Sequence, residues 1–168
     1  MISIEKYRFS HFEALVHYQL PPEQALYAPD PSQWFNGHTL LLESSMTAVS
    51  ILKNRQVVGF FILDRGVDKL EFTHNPQSIL LRSFSVNPHY QGQGIAKTVM
   101  QPGLLEPFIS QQLSPSCNEI VLAVNPANQH AYQLYLKCGF CEVGKMVMSR
   151  RGTLCSALRR PITGSQLD

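Results

Sequence analysis

The stretch LRSFSVNPHYQGQGIAKTVM, residues 81–100, constrains the fold more than any other part of the chain. An apolar run ends at Asn87-Pro88, glycines follow at Gly92 and Gly94, and a helix-like segment begins directly after them. The first turn of a helix presents unpaired backbone N–H groups and a partial positive charge. A strand, a glycine loop and a helix in this order therefore predict an anion-binding site in an α/β domain.

Two common types of nucleotide-binding loop do not match this one. A dinucleotide-binding loop has the pattern G-x-G-x-x-G after the first strand, whereas Lys97 takes the third glycine position here and the loop follows a late strand. A nucleoside-triphosphate loop has the pattern G-x-x-x-x-G-K-[ST], which the sequence lacks. The anion must therefore be identified from other parts of the chain.

The rest of the sequence predicts a mixed sheet flanked by helices. Predicted strands, rich in β-branched and aromatic residues, cover residues 2–9, 46–53, 56–64, 78–86, 119–124, 140–150 and 153–160. Predicted helices cover residues 11–18, about 94–110 and 128–138. Strands linked by short turns should pair antiparallel, and strands linked by a helix should pair parallel.

Particular residues predict where these elements begin and end. Asn54-Arg55 separates two β-rich runs and predicts a hairpin. Ser10, with Glu13 three residues later, predicts a capping box for the first helix. Pro102 predicts a kink or an early break within residues 94–110, and Gly139 suits the position after a helix end.

Composition limits the classes of partner. The 168 residues suit one domain spanning 1–168, and the net charge of +2 is too small to indicate nucleic acid. Charged residues make up only 15%, against about 25% in an average domain, which leaves uncharged surface for a homodimer contact. No run approaches the roughly 18 apolar residues of a membrane span. The N-terminal segment carries charges among its apolar positions, so we expect no signal peptide and a cytoplasmic protein.

The cysteine pair Cys138 and Cys141 has C-x-x-C spacing, which occurs in redox and zinc sites. A redox pair gains reactivity from a helix N-terminus, but this pair lies at the end of a predicted helix. A zinc site needs two further ligands, and the sequence has no second such pair. We therefore predict no metal and assign these cysteines to packing.

Two motifs, in the order and spacing expected, resemble the GNAT family of N-acetyltransferases. The first is the family's acyl-CoA motif, Gln or Arg followed by two residues, Gly, one residue, and Gly or Ala, which is matched by Gln91, Gly94 and Ala96. Val86, Pro88 and Tyr90 before it also look like the family. The second motif, N-x-x-A-x-x-L-Y-x-x-x-G-F, is matched by Asn128, Ala131, Leu134, Tyr135, Gly139 and Phe140.

The resemblance implies a fold and a cosubstrate. The fold is a mixed central sheet of about seven strands flanked by helices, with a V-shaped splay between the central parallel strands. The cosubstrate is acetyl-CoA, whose pyrophosphate would bind the loop residues Gln91, Gly92, Gln93, Gly94, Ile95, Ala96 and Lys97. Its pantetheine arm would pair with the strand residues Phe84, Ser85 and Val86.

The resemblance also implies roles in the chemistry. Tyr135 would act as general acid toward the departing thiolate, and attack on the thioester would be direct, with no cysteine expected beside the thiol. Asn128 would bond the cofactor arm, or it would only cap its helix. The backbone of Val124 or Asn125 would polarise the thioester carbonyl.

The acceptor and the base are left open by the sequence. The acceptor is a primary amine of a small molecule or peptide, and Trp34 and Phe35 would form either an apolar wall beside it or the core of a helical cap. The strand at 78–86 has no carboxylate, so the candidate bases are Glu71, His74, His89 or water. A non-catalytic acyl-CoA sensor on the same fold and an enzyme that uses longer acyl-CoAs are the alternatives.

Overall fold

The computed structural model describes residues 1–163. Its main feature is a sheet of seven strands in the order β1-β4-β5-β6-β7-β9-β8, and β2 and β3 form a separate small ribbon. The strands are β1 (Ile2–Lys6), β2 (Phe35–Asn36), β3 (Thr39–Leu40), β4 (Met46–Lys53), β5 (Gln56–Asp64), β6 (Ser78–Val86), β7 (Glu119–Val124), β8 (Cys141–Met148) and β9 (Leu154–Pro161). The predicted seven-stranded α/β sheet is confirmed. The first strand ends at Lys6, three residues before the predicted end.

The helices are short. They are α1 (Phe12–His17), α2 (Pro22–Ala25), α3 (Ile95–Met100), α4 (Pro102–Gln112) and α5 (Gln129–Lys137). The break predicted at Pro102 is confirmed, because Gln101 is extended with ψ 149° and separates α3 from α4. Proline suits the first position of α4, where its missing N–H would have no partner.

The capping box predicted at Ser10 and Glu13 is wrong. A 3₁₀ turn over Phe9–His11 comes before α1, so the N-cap of α1 is His11 and no side chain caps it. The Nδ1 of His11 instead accepts a bond from the backbone N–H of Arg8 at 3.1 Å. The backbone N–H of the residue before the turn therefore has the His11 ring nitrogen as its hydrogen-bond acceptor.

The central strands diverge, as the resemblance implied. β6 and β7 pair in parallel only from Ser78 opposite Glu119 to Leu81 opposite Leu122. β6 then continues along β5 on its other side as far as the pair of Val86 with Gly59. The second half of β6 is therefore unpaired on the side facing β7, and a V-shaped opening results.

A bulge in β6 lies just beyond the vertex of this opening. The register between β5 and β6 shifts between Phe60 and Ile62, and Ser83 takes a left-handed φ of 59°. Beyond the bulge the two strands approach closely, since a Cβ on Gly59 would lie 2.7 Å from the carbonyl oxygen of Ser85. The bulge bends the strand at the point where it leaves β7.

One buried arginine joins the helices on one face of the sheet. Arg160 of β9 is 5% exposed, and its Nη1 donates to the carbonyl oxygens of Cys138, at 2.7 Å, and Met100. Its Nε lies 3.3 Å from a carboxylate oxygen of Glu106, and its guanidinium lies 4.7 Å from the Phe140 ring centroid. Arg160 thereby holds the C-terminal ends of α3 and α5 against the sheet.

Candidate active site

The opening between β6 and β7 leads into a cleft of about 1070 Å³. The glycine loop, α3, the start of α5 and the segment containing α2 all line the cleft, and α2 contacts the glycine loop through Gln24 and Gln91. The tip of the β8–β9 hairpin also contributes to the wall. Segments distant in sequence therefore meet where the sheet is unpaired.

The glycine loop presents a row of free backbone donors. Within residues 1–163, no carbonyl or side chain accepts a hydrogen bond from the N–H groups of residues 92–97. Gly92 and Gly94 have φ values of 78° and 77°, which glycine adopts without strain. A Cβ at either position would meet no atom within 4 Å, so it is the backbone angle that favours glycine here. This row suits a bound anion such as a diphosphate.

The two glutamines of the loop point away from this row. Gln91 pairs its side-chain amide with that of Gln24, and its Nε2 also donates to the Val86 carbonyl oxygen at 2.8 Å. The Oε1 of Gln93 accepts a bond from the Lys53 Nζ on the neighbouring hairpin. Within the described chain, both side chains bind protein groups, whereas the backbone N–H groups of residues 92–97 and the side chain of Lys97 do not.

The strand residues predicted to hold the pantetheine arm line the cleft. Phe84, Ser85 and Val86 follow the bulge on the half of β6 that β7 does not pair. The Ser85 hydroxyl lies 2.8 Å from the buried Tyr18 hydroxyl of the segment after α1, which fixes that side chain. Because β7 does not pair with this half of β6, its backbone edge is open to an extended ligand, except at the Val86 carbonyl, which accepts from Gln91.

Tyr135 faces the same cleft from α5. It is 8% exposed, its ring packs edge-on against Phe140 at 5.8 Å, and within residues 1–163 its hydroxyl has no hydrogen-bond partner. Burial raises the pKa of the phenol above its ordinary value. Tyr135 therefore stays protonated at neutral pH and has a donor to offer to a group bound in the cleft.

Asn125 and Asn128 line the cleft at the start of α5. The Asn125 Oδ1 accepts from the Ala127 N–H at 2.9 Å, and the Asn128 Oδ1 accepts from the Ala131 N–H at 3.5 Å. Asn128 is therefore the N-cap, one of its two predicted roles. Its side-chain N–H₂ group donates to no other described residue, which leaves those donors for a ligand.

The cleft lining also contains a charged network that the sequence analysis missed. The Arg82 Nη1 lies 2.7 Å from the Asp64 carboxylate and 3.2 Å from the Asp68 carboxylate. Hydrogen bonding from Arg82 lowers the pKa of Asp68, which lines the cleft together with Arg82. Arg150, at the hairpin tip, lies 3.4 Å from Asp68. No spacing in the sequence connects these residues, which come from separate elements.

The three candidate bases, Glu71, His74 and His89, do not lie in one site. Glu71 is exposed and lines the cleft. His89 instead lines a second depression of about 790 Å³, and His74 lies outside the cleft lining. Of these three, only Glu71 lines the cleft.

The two aromatic residues predicted beside the acceptor also separate. Trp34 lines the cleft. Phe35 packs against Phe12 and Tyr7, with ring centroids at 5.1 and 5.5 Å, and does not line it. Phe35 therefore belongs to the core of the cap, which was the other interpretation of this segment.

The cysteines are free thiols. Cys138 is buried and Cys141 is exposed at the start of β8, and within residues 1–163 no group of three or more metal-binding side chains is found. Cys155 of β9 also lines the cleft although it is 6% exposed, a placement that the sequence did not predict. Over the same range, no helix combines the length and apolar character that crossing a membrane requires.

Comparison with known proteins decides the family. Residues 10–140 match the model of the acetyltransferase (GNAT) family. The chain belongs to the GNAT family. It is 34% identical over 145 residues to "Uncharacterized N-acetyltransferase YbbJ" of Bacillus subtilis (strain 168), covering 86% of this chain and 88% of that protein. The predicted family and enzyme class, an acyl-CoA-dependent N-acetyltransferase, are confirmed.

Solved structures share the GNAT fold. An aminoglycoside acetyltransferase, AAC(6')-Ib, in complex with coenzyme A and kanamycin superposes with a TM-score of 0.73, at 16% identity, over 96% of this chain and 95% of that one. Spermidine N-acetyltransferase from Vibrio cholerae, in complex with CoA and spermine, superposes with a TM-score of 0.68, at 16% identity, over 95% of each chain. Because the identity is only 16%, these comparisons show that the fold is shared and nothing about the substrate.

Proposed function

We propose that this GNAT protein transfers the acetyl group of acetyl-CoA to a primary amine by direct attack on the thioester. The observation that carries the proposal is that the free N–H groups of Gly92 and of residues 94–97 and the buried Tyr135 phenol border one cleft. The N–H groups provide an anchor for a diphosphate, and β6 provides an open edge for the arm between diphosphate and thioester. The solved GNAT neighbours that hold CoA support this choice of cosubstrate.

The reaction then proceeds by addition and elimination. The amine nitrogen attacks the thioester carbonyl carbon and forms the N–C bond, and the C–S bond breaks with its electron pair passing to sulfur. Tyr135, which is protonated at neutral pH, donates a hydrogen bond and then its phenolic proton to the sulfur as negative charge develops there. The proton lost by the amine passes to Glu71 or to water, and either route returns a proton to Tyr135 through solvent.

The acceptor that suits the cleft is an amine with further cationic groups. Glu23 and Glu71 line the cleft and form no salt bridge within the described residues, whereas the cleft-lining Arg82 and Arg150 are paired with carboxylates. Trp34 adds an aromatic surface to the same wall, and aromatic faces attract cations. Two solved neighbours carry aminoglycoside or polyamine names, kanamycin and spermine being bound in them, which supports testing these amine classes first.

A panel of amines with acetyl-CoA, monitored by the release of free thiol, tests the proposal. The panel contains aminoglycosides, polyamines, amino acids and peptides, with acetyl-, propionyl- and butyryl-CoA as donors. We expect release with at least one amine and the highest rate with acetyl-CoA. Calorimetric binding of CoA with no thiol release for any amine would contradict turnover of these acceptors, and no binding of CoA at all would contradict the donor site.

A further inference from the structure

Gln24 of α2 and Gln91 of the glycine loop form a reciprocal amide pair at the edge of the cleft. The Nε2 of each donates to the Oε1 of the other at 2.9 Å. The Gln91 Nε2 also donates to the Val86 carbonyl oxygen at 2.8 Å, so Gln91 is bound to the end of β6 as well. Two parallel bonds between planar amides fix both position and orientation.

This pair is the principal polar anchor of α2. No residue of α2 is buried, and within residues 1–163 the Gln24–Gln91 pair is the only side-chain hydrogen bond between α2 and another element. A helix of four residues is not stable by itself, so its position depends on what holds it. α2 and the residues after it supply Glu23, Leu26 and Tyr27 to the lining of the cleft, and we call these three residues the acceptor wall.

We infer that Gln24 is a positioning residue that couples the acceptor wall to the glycine loop. The inference rests on the proposed function, because it takes the N–H groups of residues 92–97 as the diphosphate site. Binding of the diphosphate restricts the loop, and with it the Gln91 side chain, and the amide pair transmits that restriction to α2. The donor therefore orders the wall for the amine, and by linkage the amine strengthens donor binding by the same factor.

Hydrogen exchange of the amides of residues 23–28, with and without saturating CoA, tests the coupling without knowledge of the acceptor. In the unaltered protein we expect CoA to slow their exchange about five-fold, at the lower end of typical coupling. In Gln24→Ala we expect CoA to bind but the slowing to disappear. Alanine is the best helix former, so loss of the effect cannot be assigned to a poorer helix.

Two further variants make the test specific. Gln19→Ala removes an exposed glutamine of the neighbouring segment that makes no hydrogen bond within the described chain, and it should retain the full slowing. Gln24→Glu keeps the bond from Gln91 Nε2 but loses the return donor, and it should show an intermediate effect. Thermal melting of each variant confirms that the fold is intact.

The outcomes separate the coupling from the function beneath it. If calorimetry shows that CoA binds but residues 23–28 exchange equally fast with and without it, the coupling is wrong and the donor site stands. Equal slowing in Gln24→Ala and in the unaltered protein likewise overturns the role of Gln24. If CoA does not bind the unaltered protein, the proposed function fails and the inference fails with it.

Discussion

At the scale of single residues, the site uses groups that have no partner in the folded chain. The Tyr135 hydroxyl and the N–H groups of residues 92–97 bind nothing within residues 1–163, whereas the side chain of Gln91 is fully engaged. The N–H groups at a helix start have no partner inside the helix, so those that border a cleft are available to an anion. Among the motif residues, Gly92 and Gly94 present free N–H groups at the cleft, whereas Gln91 binds α2 and the end of β6.

Replacing Tyr135 with phenylalanine tests its role as general acid. We expect kcat to fall about 100-fold, a typical value for lost acid catalysis, while the Kd for CoA stays unchanged. Because burial raises the pKa of Tyr135, ionisation of this phenol should cause no loss of rate below about pH 10. Tyr132→Phe is the control, because Tyr132 is a half-buried tyrosine of the same helix that does not line the cleft. A kcat for Tyr135→Phe equal to that of the control would rule out the assignment.

Replacing Gly94 with alanine tests the backbone of the loop. The φ of 77° costs an L-residue about 1–2 kcal/mol, so we expect a loss of stability of that size and weaker CoA binding. Gly103→Ala is the matched control, because Gly103 lies in α4 with equally open space around it and no left-handed angle. That change should be neutral or slightly stabilising. Urea denaturation and calorimetry give both quantities, and equal effects at the two positions would contradict the argument.

At the scale of elements, the ends of the helices are held by side chains from distant strands. Arg160 of β9 binds the last carbonyl of α3 and the residue after α5, and the Gln24–Gln91 pair holds α2 to the loop before α3. The carbonyls at helix ends have no partner inside the helix, so a buried guanidinium satisfies them. Long-range polar contacts therefore help to position α2, α3 and α5 around the site.

Replacing Arg160 with methionine tests this at the buried cluster. We expect a loss of about 3–5 kcal/mol in the free energy of unfolding, because Glu106 and the two carbonyls lose their partner. Burial raises the pKa of Glu106 and the Arg160 charge lowers it, so removal of Arg160 raises this pKa further and the folded variant gains more from protonation than the unaltered protein does. The deficit should therefore shrink as the pH falls from 7 toward 5.

Denaturant titrations at both pH values measure this deficit. Arg151→Met, at an exposed position with no salt bridge within the described residues, should change stability by less than about 0.5 kcal/mol. A deficit for Arg160→Met that is the same at both pH values would show that Glu106 does not carry the effect.

At the scale of the whole molecule, binding of CoA should stabilise the fold as a unit. The donor cleft joins β6, β7, α3 and α5, so a ligand there bridges both arms of the V. CoA at about 100 times its Kd should raise Tm by about 5–10 °C in a chain of this size. Adenosine, which lacks the diphosphate, should leave Tm unchanged when present at the same concentration. Equal shifts for both compounds would show that the loop does not recognise the diphosphate.

The homodimer stays a prediction that analytical ultracentrifugation can test.

The sequence by itself determined the local features of this protein. Asn54 and Arg55 form the predicted hairpin turn with left-handed angles of 51° and 71°, Pro102 separates α3 from α4, and the glycine loop leaves its N–H groups free. Each depends on backbone preferences of residues adjacent in the chain. Sequence patterns record such preferences directly.

Only the tertiary structure decided which distant side chains meet. Gln24 and Gln91 are separated by 67 positions, and Arg82 meets Asp64 and Asp68 only because β6 lies beside β5. Phe35 turned into the cap while its neighbour Trp34 faced the cleft. Such contacts depend on strand order and on the divergence of β6 from β7, and no spacing along one chain encodes where two separate segments come together in space.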